Sequence, residues 1–275
     1  MFMRLKDGKC KAFTTSYDDG VVQDIRLMQL MDKYGIRGTF NISSGRYYPE
    51  NADHKEWNDR MKRSEALELY VGSGHEVALH GYSHPDLTQL RDEDLLYEIQ
   101  QDRADAEADY GVLVRGMAYP YGTYSDWVMT ALKLCGICYS RTGNSSHRFP
   151  FPENWLELHP TCHHNDPKLM DLADRFLRIG DHYCNNSAMF CLYGHSYEFD
   201  KDDNWDRIEA LFQKISGKED VWYATNIELY DYAQAYKNLI TSADRRTVYN
   251  PSAMDVWFSD GTTTYCIHPA ETLHI

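Results

Sequence analysis

Short β-like runs alternate with helical patterns along most of this 275-residue chain, and that alternation limits the folds open to it. Residues 10–17 (CKAFTTSY) read as a strand. In residues 21–34, Val21, Ile25, Met28, Leu30, Met31 and Tyr34 fall near helical spacing, and Gly35 is a natural stop. Strands are expected at 38–43, 75–80, 113–119, 137–141, 155–160, 188–193 and 221–224. Helices are expected at 64–71, 92–109, 125–134, 167–179, 204–215 and 226–237. A loop rich in Gly, Asn, Ser and Pro covers 143–154. Seven or eight β–α units of this kind call for an α/β fold, a parallel sheet covered by helices, either closed into a barrel or left open. Residues 241–275 depart from the pattern. They are β-rich, with Asp260-Gly261 as a hairpin turn, and read as a small appendage on a main unit of residues 1–240.

Composition narrows the function classes. With 43% hydrophobic residues the chain can bury a sizeable core. Lys and Arg number 28 against 42 Asp and Glu, a formal charge of −14. Such an acidic surface is poorly suited to nucleic acid, whose phosphates are bound mainly by Lys and Arg. No stretch approaches the roughly 18 apolar residues of a membrane helix. The N-terminal MFMRLKDGKCKAF has no apolar run followed by a cleavage site, so the chain reads as cytoplasmic. Seven scattered cysteines read as reduced thiols rather than a disulfide framework. The lone pair Cys135-x-x-Cys138 has no second ligand pair beside it and reads as packing.

Four clusters carry chemistry, and each ends an expected strand. Asp18-Asp19-Gly20 follows the first; two adjacent carboxylates repel unless something positive lies between them, although the same triplet often makes a turn. His80 and His84, four apart, can turn both imidazoles toward one ion. With Asp19 they make three ligands and leave positions open for water and substrate. Tyr119-Pro120-Tyr121-Gly122 is a stiff turn that can aim a backbone N–H at an oxyanion. His195 ends a later strand. Each cluster alone has a plain structural explanation. In a parallel barrel, however, the strand C-termini share one face, and that face carries the active site.

Together these residues resemble the polysaccharide deacetylase family, also called the NodB homology or carbohydrate esterase 4 family. The matching segments are Ser16-Tyr17-Asp18-Asp19-Gly20, His80 to His84, Tyr119 to Gly122 and Leu192 to His195. The resemblance implies a distorted (β/α)7-type barrel and a metal-dependent carbohydrate deacetylase. Its substrate would be an acetylated sugar, oligosaccharide or polysaccharide, most often N-acetylated. It implies that Asp19, His80 and His84 hold a divalent ion, usually zinc, with cobalt or nickel as alternatives. Asp18 would be the general base, the Tyr121 backbone N–H would face the oxyanion, and His195 would protonate the leaving amine.

The chain departs from the family pattern in three places. Gly81 stands where the histidine motif has Ser or Thr, and Ala118 where an Arg usually orients the catalytic Asp. Arg141 is the expected substitute, with Arg115 as a weaker one. No match is visible to the Asp-x-x-Asp-Trp-like motif that orients the acid histidine. The run His159-Pro160-Thr161-Cys162-His163-His164 also follows a strand; its histidines, His163 among them, either line the same mouth or lie on the surface. Two other readings stand beside the deacetylase: a metal-dependent hydrolase of another C–N bond, and a non-catalytic carbohydrate-binding protein.

Overall fold

The computed structural model describes residues 1–180 and 187–275. Cys184 lies outside the described residues. The strands in chain order are β1 (Phe2–Arg4), β2 (Lys11–Asp18), β3 (Thr39–Ile42), β4 (Glu76–Leu79), β5 (Gly116–Ala118), β6 (Tyr139–Arg141), β7 (Cys162–His163), β8 (Ala188–Gly194), β9 (Val221–Tyr223), β10 (Ile240–Thr241), β11 (Thr247–Tyr249), β12 (Val256–Ser259), β13 (Thr264–Ile267) and β14 (Thr272–His274). The helices are α1 (Asp24–Lys33), α2 (Arg63–Tyr70), α3 (Asp92–Tyr110), α4 (Asp126–Leu134), α5 (Leu169–Leu177), α6 (Tyr197–Lys201), α7 (Trp205–Ile215) and α8 (Asn226–Lys237).

β2 to β9 form one parallel sheet in the order β6-β5-β4-β3-β2-β8-β7, with β9 wedged against the start of β2. Lys11 to Phe13 pair with β9, whereas Ser16 to Asp18 pair with β3. One edge of β2 therefore serves two neighbours, which distorts the sheet from a regular barrel. Alternation along β2 sends Phe13 and Tyr17 outward into the main apolar core under the helices. It turns Thr14, Ser16 and Asp18 inward. There Thr14 Oγ1 donates to Asn226 Oδ1, and Asn41 Nδ2 donates to both Ser16 Oγ and Asp18 Oδ1. The barrel interior is thus a hydrogen-bonded polar network, which holds side chains in single orientations.

The strand expected at 155–160 is the one element that forms differently. Asn154 Oδ1 caps a short 3-10 turn over Trp155–Glu157. Pairing begins only at Leu158, whose N–H donates to Ser140 O on the β6 side. Pro160 has no N–H to give, so the ladder breaks there. It resumes when Thr161 N donates to Cys191 O and His164 N to Tyr193 O on the β8 side. This bent segment spans from β6 to β8 and lifts His163 and His164 toward the mouth. Helix α6, directly after His195, was not expected from the sequence.

Gly35, the stop expected for the first helix, and Gly111 both take left-handed φ just past α1 and α3. Thr225 and Glu228 make a capping box that starts α8. After α8 the chain forms two three-stranded sheets, β1-β12-β13 and β10-β11-β14. The first takes in the N-terminal strand, and its β12–β13 hairpin turns on Asp260, whose Oδ1 accepts the N–H groups of Thr262 and Thr263. Cys135, Cys138, Cys162, Cys191 and Cys266 are free thiols. No helix among the described residues is long and apolar enough to cross a membrane.

Candidate metal centre and active site

Ligand atoms of Asp19, His80 and His84 lie within 4.8 Å of one another, at the ends of β2 and β4. His80 Nδ1 is 2.8 Å from Ala118 O, and a carbonyl can only accept, so Nδ1 carries the ring proton. That leaves the Nε2 lone pair free as a ligand atom. Burial, and in the case of His84 the nearby His80, holds both imidazoles neutral: His80 is lowered and His84 is pushed down to about 4. Burial alone would raise the Asp19 carboxyl, but His80 and Arg60 reverse this and keep it ionised. Two neutral imidazoles and one carboxylate are the donor set of a hydrolytic metal site, so the residues fit a divalent ion.

Asp18 is buried and held from two sides. Arg141 Nη2 donates to both its oxygens, at 2.5 Å for Oδ1, and Asn41 Nδ2 donates to Oδ1 at 2.9 Å. Arg141 is itself buried. Its Nε donates to Ser16 Oγ, its Nη1 to Thr142 O, and its guanidinium lies over the Tyr193 ring. Burial pushes the Asp18 carboxyl up, and Arg141, with His80 and His195, more than reverses it, so Asp18 is ionised at neutral pH. Of the two arginines considered for orienting Asp18, Arg141 is the one that contacts it. Arg115 does not: it pairs with Asp231 of α8, at 2.6 and 2.9 Å.

His195 follows β8 and approaches Asp18, with Nε2 at 4.0 Å from Oδ2. Its partner is Glu198, one turn on in α6, with Nδ1 at 3.5 Å from Oε1. The other oxygen of Glu198, Oε2, lies 3.0 Å from Nε2 of both His163 and His164. Burial lowers the His195 imidazole, but Glu198, Asp18 and Asp19 outweigh it and raise its pKa. Glu198 is held well below the usual range because three imidazoles reverse the effect of its burial. His164 is fully buried, pushed down to about 4, and packs where any Cβ on Gly194 would collide with it. His159 is exposed and bonds Thr142 Oγ1 instead.

Two further carboxylates brace the walls. Asp102 of α3 accepts Ser44 N, Ser44 Oγ and His80 N, tying β3 and β4 together beneath His80. Asp24 of α1 accepts from Ser196 Oγ and Tyr70 Oη beside His195. Burial pushes both up to about 7. Asp19, His84 and Tyr121 all have left-handed φ, at +82°, +59° and +59°. Such backbone costs about 1–3 kcal/mol per non-glycine residue and gathers where function demands it. The exposed Tyr121 ring stands edge-on to His84. Gly81, at φ +76°, lets the chain turn from His80 to His84, and a Cβ there would press on Pro120 and Pro85.

Three residues of this mouth escaped the sequence reading. Glu198 carried a signal, since His195-Ser-Tyr-Glu198 puts a carboxylate three residues on, within one helical turn. Arg60, bonded to Asp19, and Trp57, edge-on to Tyr197 against His195, lie in a patternless loop and carried none.

The fold places the chain in a known class of barrel, the distorted (β/α)7 barrel seen in solved deacetylases. A candidate polysaccharide deacetylase from Mycobacterium smegmatis superposes with a TM-score of 0.59 at 17% identity, over 86% of this chain and 95% of that one. A variant of peptidoglycan deacetylase PdaC from Bacillus subtilis gives 0.54 at 16%, over 85% and 96%. The chitin deacetylase of Colletotrichum lindemuthianum gives 0.53 at 16%, over 83% and 89%. At such identities the likeness concerns the fold. Residues 6–140, about half of the chain, match the polysaccharide deacetylase family model, and the chain belongs to that family. Chitin deacetylase 1 of Cryptococcus neoformans var. grubii is 27% identical over 123 residues, 44% of this chain but only 23% of that protein.

Proposed function

We propose that the chain is a metal-dependent hydrolase that removes an acetyl group, most often from nitrogen, from a sugar or glycan. The observation that carries this reading is the pairing of the Asp19–His80–His84 donor set with an ionised Asp18 on one side and His195 opposite. Asp19, His80 and His84 would hold the ion, zinc by the chemistry of the set, with cobalt or nickel as alternatives. Such an ion, when bound, polarises the acyl oxygen and lowers the pKa of water to roughly 7. Asp18, fixed by Arg141 and Asn41, accepts the proton of the attacking water. The Tyr121 backbone, held in its left-handed turn, lines the oxyanion side. His195, whose pKa Glu198 raises, gives its Nε2 proton to the departing nitrogen, which cannot leave as an anion. Tyr121, Trp57 and Tyr197 offer exposed or partly exposed aromatic faces for a pyranose ring.

Because every one of these groups is present, hydrolysis is favoured over a purely binding role. The test is acetate release from N- and O-acetylated mono-, oligo- and polysaccharides with zinc, cobalt or nickel added. Chelator-sensitive acetate release is expected. A purified chain that binds no metal and releases no acetate from any of them would end this reading.

A further inference from the structure

Arg60 lies on the loop between β3 and α2, and its Nη2 donates to Asp19 Oδ1 at 2.5 Å. That same oxygen is 3.8 Å from His84 Nε2, so Arg60 touches the ligand atom that faces the histidines. The loop is fastened on either side of it: Val22 N donates to Asp59 O, and Met61 N to Gly20 O. Three residues earlier, Trp57 stands edge-on to Tyr197, whose ring lies against His195.

The charges in the pocket balance before any cation enters. Asp18 and Asp19 contribute two negative charges and Arg141 and Arg60 two positive ones, while beside them Glu198 faces His195. A dication therefore enters a site with no net negative charge, and Asp19, one of the residues that would hold it, already carries a guanidinium on Oδ1.

Resting on the metal reading above, we infer that Arg60 is a built-in counter-cation of Asp19, which the divalent ion must displace from Oδ1. Arg60 is then a positioning residue that keeps the metal weakly held and exchangeable. Its release on loading removes one of the ties on the loop that carries Trp57 at the substrate mouth. This is the opposite of an arginine that merely steadies a ligand, because removing a steadying partner weakens metal binding by about 10–100-fold.

The test is zinc and cobalt affinity, measured with the metals alone in competition with a chromophoric chelator. Arg60→Gln is expected to bind either metal about tenfold tighter than wild type, since it removes a nearby like charge. Arg60→Lys, which keeps the charge, is expected to stay near wild type. Equal or weaker binding by Arg60→Gln would overturn the inference while leaving the metal reading intact. A wild-type chain that binds neither metal would overturn both. Hydrogen exchange on the wild-type chain gives a check that needs no variant: adding zinc should speed exchange over residues 53–62, and an unchanged loop would sink the displacement.

Discussion

Asp19, His80 and His84 on one side of the mouth, and Glu198, His163 and His164 on the other, each combine one carboxylate with two imidazoles. In each, the ligand atoms lie within 4.8 Å of one another. The difference lies on the far ring nitrogen. His80 Nδ1 faces the Ala118 carbonyl, so its proton is committed there and Nε2 offers a lone pair. His163 Nδ1 instead accepts the backbone N–H of Asn165 at 3.2 Å, so in the neutral ring the proton is on Nε2, which donates to Glu198. In the function proposed above, the first cluster holds the metal ion. The second handles protons, with one carboxylate shared by three imidazoles counting His195. Proximity of donors alone does not separate the two; the backbone atoms behind His80 and His163 do.

Metal content breaks this comparison most directly. His84→Ala should lose both the bound ion and turnover, whereas His163→Ala should keep one ion per chain. Asp18→Asn should also keep the ion while turnover falls by about 10³-fold or more, the scale of a lost general base. Elemental analysis beside acetate-release rates measures all three. A second ion lost on His163→Ala would show that the distinction drawn from the far nitrogens is wrong.

Much of the first cluster was legible because its information is local. Asp18-Asp19 and His80-x-x-x-His84 are contiguous, and the strand periodicity puts both at strand ends. The β–α alternation was legible for the same reason: each unit writes its own hydrophobic pattern. The partners were harder because they come from distant parts of the chain. Arg141 is 123 residues from Asp18, and only the inward alternation of β2 and β6 brings them together. His163 and His164 reach Glu198 because the ladder breaks at Pro160 and resumes against β8, two pairings joined by a bend where the hydrophobic pattern suggests a single strand over 155–160. Glu198 is local to His195, but its helix has five residues, too short to show periodicity.

Arg141→Ala tests the group that sits between the clusters. It leaves Asp18 buried without its counter-charge, and breaking a buried pair in this way costs about 3–5 kcal/mol. The pH dependence follows from the lowered folded-state pKa of Asp18. A carboxyl lowered in the fold adds stability that is fully present above its unfolded value, about 3.9, and is lost as pH falls through the folded one. Urea unfolding of the wild type should therefore show this contribution at neutral pH and its loss below about pH 4. In Arg141→Ala that acid-side loss should shrink or reverse. An identical slope in the two proteins would mean that Arg141 does not hold the Asp18 charge.

The smallest effect should come from Glu198→Gln, and it sharpens the claim that the second cluster handles protons. Glu198 is what most strongly offsets the burial of His195, so without it the imidazole loses its proton at lower pH. His195 acts as an acid and is active when protonated, so turnover falls as pH rises through its pKa. The alkaline limb of the rate profile should therefore move to lower pH in Glu198→Gln, with turnover at the optimum down about 10–100-fold, the scale of a lost orienting partner. His164 cannot take over, because its burial keeps it neutral down to about pH 4. Metal content should be unchanged. If the limb stays in place and the ion is lost instead, Glu198 belongs to a metal site, and the two clusters are alike after all.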